Sequence, residues 1–552
     1  MSDKIFGIDL GTTYSCIAGI DEYGKPIIYK NSIGEKTTPS VLLFNGRDVS
    51  VGKDAKEEAA FSPEASASFF KRDISNVNFS FQYNGDNFKA EMLSAFVLKK
   101  LVKDASKELK EPIKKVVITC PAYFGINERE ATKRAGILAG LEVVNLLNEP
   151  TAAAISYGMG TTNEQKNVLV YDLGGGTFDV TVISIGKAKI EVRATGGDSL
   201  LGGKDWDDAL VGYFSEEIEN TTGESKSNIM SDSVSVVELR IEAERVKRML
   251  SDSQKCVARL SRPSGALRLE VSREKFEELT SCLVARTIDL TSDVLNDAGL
   301  SKGNIDEILL VGGSSRMPMI TKAVEAFFER KVRIFNPDEA VAVGAALDAN
   351  NKRLKNILEE KSGISVSGNG GLSVDNFDDN PTLGGALKEI AEEEGLTLSG
   401  LTEILSREVV NVCSKSFGET AIESRTNTEK IFNIIKRNTP LPAVSTMDFK
   451  TMCDNQTAVE SEIMENDTDD DVVDIEFGTK IGNLLIDGLP KGRPAGCPIL
   501  TKFTINEQGL LEVESIDELS SKKVNVSIQT AHIASTDEME IMKKIINKYN
   551  VL

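Results

Sequence analysis

Histidine is almost missing from this sequence: among 552 residues there is one, His532. Its position near the end excludes a Ser/His or Cys/His catalytic pair in the body of the chain and argues against a zinc site. The seven cysteines lie far apart, with no Cys-x-x-Cys, so separate buried thiols in a reducing compartment are a better reading than disulfides or metal ligands. No apolar run is long enough to span a bilayer. The start, MSDKIFGIDL, lacks the basic, apolar and small-residue pattern of a secretory signal. Lipidation signals are missing as well, and a cytoplasmic location is the expectation. Positive charge is also in short supply. Lys+Arg 64 against Asp+Glu 85 leaves a net charge of −21, and no basic stripe offsets a field that repels nucleic acid and anionic membranes.

What is there is an ordinary globular composition, 40% hydrophobic and 27% charged, so the chain can bury sizeable cores. The length suggests about three or four folding units. From Lys4 to about Asn350, strand-like runs such as KKVVITC, NVLVYDL, FDVTVISI and EILLVGG alternate with helical patterns such as AEMLSAFVLKKLVKDASKEL and VVELRIEAERVKRML. This alternation predicts an α/β domain over residues 1–350. Residues 351–407 carry a Gly/Ser/Asn-rich stretch and a short amphipathic segment, read as a linker or insertion with two short helices. Residues 408–530 read as strands and turns, a compact all-β unit. Residues 531–552 read as one helix, with Ser535 and Glu538 as a capping box and Met542, Ile545, Ile546 and Tyr549 on one face. The acidic run NDTDDD (Asn466 to Asp471) begins like a calcium loop, but Val472 occupies the glycine position and Gly478 the glutamate position. A solvated hairpin loop is the better reading.

One unusual turn occurs twice, in FGIDLGTTYSCIAGI (Phe6 to Ile20) and in YDLGGGTFDV (Tyr171 to Val180). Neither is a P-loop, which ends in Gly-Lys-Ser/Thr and runs into a helix. More strand follows each turn, so both are hairpins. Glycines let backbone N–H groups approach anionic oxygens, and Thr12, Thr13 and Thr177 add hydroxyl donors. Asp9 and Asp172, just before the turns, would repel a bare phosphate. They suit a hydrated Mg²⁺ lying between carboxylates and phosphates. For either turn alone, a tight turn with its Asp bonded to local backbone remains the alternative. The repeated Asp-Leu-Gly pattern favours a two-sided phosphate clamp.

Taken together, IDLGTTYSC, PAYFGINEREATKRAG, NEPTAAAISYG, DLGGGTFDV, AERVKRMLS, LVGGSSRMP and NPDEAVAVGAA resemble the ATPase domain of the heat shock protein 70 chaperones, within the actin-like ATPase superfamily, over residues 4–350. The later NTPLP, DNQTAV and DGLP resemble, more weakly, that family's β-sheet peptide-binding domain. The resemblance implies two pseudo-duplicated lobes followed by a β-sandwich, ATP hydrolysis to ADP and phosphate, and Mg²⁺. It implies that Asp9 and Asp172 organise the metal through water, with Gly11, Thr12, Thr13 and Tyr14 lining one phosphate hairpin and Gly174, Gly175, Gly176 and Thr177 the other. Lys71 would reach the γ-phosphate and attacking water, and Glu149 and Asp179 would position water and metal; with Asp172 and Thr177 these form the implied catalytic set. Gly202, Gly203, Glu244, Lys247, Arg248 and Ser251 would hold the nucleotide, with Gly312, Gly313, Ser314, Arg316 and Asp338 closing the other side. Pro121 and Arg129 match positions tied to communication between domains, and Phe449, Met452, Val459 and Ile463 would line a peptide groove. Implied partners are unfolded or extended peptides, a J-domain co-chaperone and a nucleotide-exchange factor.

Several features depart from that pattern. The segment between Lys71 and the helix near Glu91 is short and offers one hairpin. The apolar interdomain linker survives only as Val409, Val410 and Val412, which puts coupling in question. Ser461 is polar where an apolar groove residue is expected, the stretch Glu419 to Lys430 reads as a polar loop, and Lys204 replaces an acidic residue near the cleft. The helical lid is reduced to the one C-terminal helix, and the acidic recruiting tail is absent. These departures keep a second reading open: a nucleotide-binding scaffold or co-chaperone with weakened peptide cycling.

Overall fold

The two repeated turns sit at corresponding places in two six-stranded sheets. The computed structural model describes residues 4–158, 165–186, 189–262, 265–366, 380–527 and 536–552. In the first sheet, strands Ile5–Asp9 and Tyr14–Ile20 form an antiparallel hairpin, with Asp9 opposite Cys16. Lys115–Cys120 runs parallel to Ile5–Asp9 on the other side. In the second sheet, Lys166–Leu173 and Phe178–Ile185 form the hairpin, with Asp172 opposite Asp179. Here Glu307–Val311 is the parallel neighbour. Each central strand is covered on both faces, which explains runs such as VLVYDL and FDVTVISI in which nearly every residue is apolar or β-branched and all are buried.

The helix Ala340–Ser362 joins the two sheets through small residues. A Cβ at Gly7 would overlap the backbone at Ala345 and Ala346, and one at Gly344 would overlap Ala152 in the helix Glu149–Gly158. The AVAVGAA run therefore specifies close backbone approach. This helix does not stop at residue 350, where the sequence suggested a boundary. Leu354 and Leu358 continue its buried stripe, and it ends where Gly363 takes φ 66. Helices Pro381–Glu393 and Leu398–Ser406 fold back onto that extension, burying Leu387, Ile390, Leu401 and Leu405 against it. The two short helices expected within residues 351–407 are present and share a core with the helix extension; most of the Gly/Ser/Asn-rich stretch before them lies outside the described residues.

Directly after this unit, Glu408–Val410 joins the second sheet as its sixth strand, parallel to Lys189–Asp198 with Ile190 opposite Val409. The shortened apolar linker still pairs. Beyond it come a five-stranded and a four-stranded sheet. Phe417, Ile463, Ile481, Phe503, Ile505 and Val513, drawn from both sheets, share one apolar cluster. The expected polar loop from Glu419 to Lys430 is mostly two paired strands, Ser416–Glu423 and Thr428–Ile435, whose ends away from the turn are buried.

The helix Thr536–Ile546 docks far from those sheets in sequence terms. Met542, Ile546 and Tyr549 are buried among Phe44, Phe88 and Phe96 of the first part of the chain, stabilising it by roughly 1.5–3 kcal/mol for each large side chain covered. Asn550–Val551 then adds a strand parallel to Asp48–Val51. The apolar face read from the sequence is present, with Ile545 only partly buried, but the terminal segment is a helix plus a strand. Ser535 of the expected capping box and His532 lie outside the described residues. Among the described residues, no helix is long and apolar enough to cross a membrane. The cysteines are unpaired thiols, five of them buried, with Cys282 and Cys453 exposed rather than buried as expected.

Candidate functional site

The two turns meet across a cavity of about 600 Å³. Gly11, Thr12, Thr13 and Tyr14 line it from the first turn, and Gly174, Gly175 and Thr177 from the second. The first turn is held by hydroxyls: Ser40 Oγ donates to Gly11 O at 2.8 Å, and Gly11 N donates to Ser15 Oγ at 3.0 Å. The second is held by backbone: Gly203 N and Lys204 N donate to Gly174 O and Gly175 O at 2.9 and 2.8 Å, and Arg72 Nε donates to Gly176 O at 2.7 Å. Gly176, Gly202 and Gly203 therefore act behind the cavity wall. A Cβ on Gly202 would meet the backbone of Gly176 and Thr177, so this glycine sets how closely the helix Gly203–Thr222 approaches the turn.

On the cavity floor, Lys71 is almost fully buried and donates to Glu149 Oε1 at 2.8 Å. Asp9 accepts from Thr119 Oγ1 at 3.1 Å, and Asp179 accepts from Tyr123 N at 3.0 Å. Three buried carboxylates, Glu149, Asp172 and Asp179, and the half-buried Asp9 thus share one ammonium group. Burial, followed by the charge of Glu149, lifts both Asp9 and Asp179 to about 7. Burial and the neighbouring carboxylates Glu149, Asp179 and Asp9 raise Asp172 well above the usual carboxylate range. For Lys71, burial acts downward, but Glu149 outweighs it and the net shift is upward. A site with this excess of buried negative charge suits a cation. Among the described residues no three acidic or thiol groups stand close enough to ligate one directly. Asp9 and Asp172 therefore fit Mg²⁺ through water and phosphate oxygens, as an ion that keeps much of its hydration shell requires.

At the other end of the cavity lie Glu244, Lys247, Arg248 and Ser251, from the helix Ser233–Asp252, and Gly312, Gly313, Ser314, Arg316 and Asp338. Arg316 pairs with Asp338 at 2.5 Å, and Lys247 with Asp207 at 2.7 Å. Gly312 has φ 78, and a Cβ there would overlap the Leu173 backbone, so only glycine lets this segment close on the second turn. Tyr14 Oη accepts from Lys56 Nζ at 2.9 Å and Arg248 Nη2 at 2.7 Å, while Lys56 also pairs with Glu244 at 2.6 Å. This cluster closes the cavity mouth with residues from both halves. Lys56, Phe69, Arg72 and Asp207 have no motif of their own in the sequence; GGKDWDD around Asp207, next to the two glycines, was the one available signal.

Pro121 and Arg129 lie outside the cavity on a path leading away from it. Pro121 begins the loop whose Tyr123 N holds Asp179. Arg129 donates to Phe124 O at 3.0 Å, to Asn148 Oδ1 at 2.7 Å and to Gln508 O at 3.5 Å. Asn148 precedes Glu149, and Gln508 belongs to the β-sheet region, so Arg129 bridges the two. Beside it, Glu465 Oε2 accepts from Ile126 N at 3.3 Å, and Arg437 pairs with Asp297. The four expected groove residues do not come together. Half-buried Phe449 packs both on the cluster that holds the fully buried Ile463 and, with half-buried Val459, on Ile486, Leu489 and Ile499, while Met452, 64% exposed after its strand, stands apart.

The acidic run at Asn466 to Asp471 is tied by ion pairs, Lys415 to Asp467 and Lys436 to Asp471, as a surface loop. In comparison with known proteins, the family model described as Hsp70 protein matches residues 5–78, 74–359 and 403–551. The stretch between its last two segments includes the helix Pro381–Glu393 and the start of Leu398–Ser406.

Proposed function

The chain belongs to the Hsp70 family, and from that premise we propose that it is an ATP-dependent chaperone coupling nucleotide turnover to binding of extended peptides. Residues 1–350 read as a two-lobed nucleotide domain, each six-stranded sheet being the centre of one lobe, and residues 408–530 as a sandwich-like peptide domain. The observation that carries the ATP reading is the cavity lined by both Asp-Leu-Gly turns with Lys71 and Glu149 on its floor.

In this reading the turn N–H groups and the Thr12, Thr13 and Thr177 hydroxyls hold the phosphates. Bound Mg²⁺ supplies charge neutralisation there. Lys71, fixed by Glu149, places its ammonium beside the terminal phosphate and orients the attacking water. Asp179 and Glu149 accept hydrogen bonds from that water, and the proton leaves toward whichever carboxylate is ionised. Glu244, Arg248 and Tyr14 enclose the nucleoside. Closure of the mouth cluster and the Asp179–Tyr123 and Glu149–Asn148–Arg129 links would report the nucleotide state to Gln508 and the paired linker strand. A J-domain protein and a nucleotide-exchange factor are the partners this cycle calls for.

The exposure of Met452 and the full burial of Ile463, which were expected to line one groove, favour the second reading, a nucleotide-binding scaffold with weakened peptide cycling. ATP turnover with and without a J-domain protein and unfolded peptide separates the two: stimulation by both supports the chaperone, and tight binding without stimulation supports the scaffold. For the site itself, Lys71→Ala keeps ATP affinity within about threefold and slows single-turnover hydrolysis by about a hundredfold or more. Equal single-turnover rates would remove Lys71 from the mechanism.

A further inference from the structure

Inside the β region, one buried carboxylate has an oxygen left without a hydrogen-bond partner among the described residues. Glu419 lies on Ser416–Glu423, opposite Phe432 on one neighbouring strand and Ile463 on the other. Residues directly opposite in an antiparallel ladder share a face, and Ile463 is in the core, so the Glu419 side chain points inward with it. It is 2% exposed. Its Oε1 accepts from Ser461 Oγ at 2.6 Å, while Oε2 is buried with no hydrogen-bond partner. Thr501, on the facing sheet, lies beside the carboxyl, and its hydroxyl is 2.9 Å from that of Ser515. Glu419, Ser461, Thr501 and Ser515 are thus a buried polar group in the same two sheets as the apolar clusters of Phe417 with Phe503 and of Val459 with Ile499.

A buried carboxylate with an empty acceptor position is costly, by several kcal/mol if ionised and unpaired. Burial lifts the Glu419 carboxyl above the usual range, with Ser461 and Thr501 acting against the shift. The missing partner is a hydrogen-bond donor, and the best donor for a carboxylate is a cation. Two aromatic rings stand beside Glu419. Phe432, opposite Glu419 in the ladder, and Phe449, on the first strand of the facing sheet, meet edge to face at 6.2 Å, and both are half-buried. Their ring faces favour a passing cation, and the net charge of −21 attracts one from solution.

We infer that Glu419, with Ser461 and Thr501, forms an acidic side-chain pocket beneath Phe432 and Phe449 that selects extended peptides carrying a lysine or arginine at the captured position. The inference rests on the peptide-binding reading and names its substrate class: basic rather than purely apolar segments. Ser461, polar where an apolar groove residue is expected, then helps hold the carboxylate that does the selecting.

The test uses the full-length protein and a pair of fluorescent extended peptides identical except for a central lysine or its uncharged isostere norleucine. The expected result is about tenfold tighter binding of the lysine peptide, the size of one charge-assisted hydrogen bond. Glu419→Gln keeps the shape and is expected to abolish that preference while leaving norleucine binding within about twofold. Glu419→Leu is expected to reverse it. Equal or tighter norleucine binding by the parent, or a lysine preference that survives in Glu419→Gln, overturns the pocket while leaving peptide binding in place. Binding of neither peptide, in a protein that still binds ATP, overturns both. The parent comparison needs no variant to fold.

Discussion

The turn after Asp9 and the turn after Asp172 occupy the same place in sheets of like connectivity, yet one is rich in threonine and the other in glycine. The contact between them accounts for the difference. A Cβ on Gly175 would overlap the Thr13 side chain, and one on Gly176 would overlap Thr12. The threonines of one turn fill space that the glycines of the other leave open. Glycine there is needed for the partner turn as much as for a phosphate, a role that the sequence reading had given to the phosphate alone. A repeated motif can therefore diverge into two complementary halves, each sterically possible only beside the other. The supports differ as well: hydroxyls of Ser15 and Ser40 brace the threonine turn, while the start of the helix Gly203–Thr222 braces the glycine turn.

The most severe way to break this fit is Gly175→Val, which forces the turns apart. ATP affinity by calorimetry is expected to fall about a hundredfold, roughly 3 kcal/mol of overpacking transmitted to the site. Unchanged affinity would dissolve the comparison. A finer probe is the cycle of Gly175→Ala and Thr13→Ala. The single glycine change is expected to weaken ATP binding about tenfold, and the double variant to recover part of that loss, with a coupling of about 1 kcal/mol. Strict additivity would mean that the two turns do not sense each other.

The smallest effect concerns the carboxylates behind the turns. Asp9 is raised to about 7 in the folded protein, so the folded state retains a proton that the unfolded chain releases near the ordinary aspartate value. The stability this confers is present at low pH and is lost as pH rises toward and through 7. In the nucleotide-free, metal-free protein, urea unfolding is expected to show stability falling between about pH 5 and 7. Asp9→Asn should flatten that slope by up to about 1 kcal/mol per pH unit. Asp172 is likewise raised well above the usual carboxylate range, by burial and then by Glu149, Asp179 and Asp9, and no hydroxyl like that of Thr119 acts on it among the described residues. The two hairpins thereby differ in the partners of their carboxylates as well as in packing. An Asp9→Asn slope equal to that of the parent would place the proton elsewhere.

The parts of the molecule readable in the sequence are those with local codes. Apolar runs bounded by Asp-Leu-Gly marked both hairpins, and three valines marked the linker strand. The hairpin at Phe81–Tyr83 and Asp86–Phe88 followed from a short polar segment. Long-range partnerships carried no such code. Lys56 finds Glu244 across the cavity mouth because two helices from different halves converge there, and no periodicity reports that convergence. Glu419 was hidden in a stretch whose polar composition read as a loop, although its strands are buried at the ends away from the turn. Helix continuity past residue 350 was legible in Leu354 and Leu358, but the neighbouring Gly/Ser/Asn-rich stretch drew the boundary too early. The groove residues were chosen by strand alternation, which gives a face but not a depth, so Ile463 and Met452 ended at opposite extremes of burial.

Asn550 and Asp48 are 502 positions apart and lie side by side in one small sheet. On the ribosome, the strand Asp48–Val51 and the aromatic surface of Phe44, Phe88 and Phe96 emerge long before residues 536–552, which cover them. Throughout that interval the nascent chain carries an open strand edge beside exposed rings, the kind of surface on which chains stick to one another. The stretch around Asn550 is therefore what covers an edge made 502 positions earlier, and that edge stays open until this stretch has been made and docked.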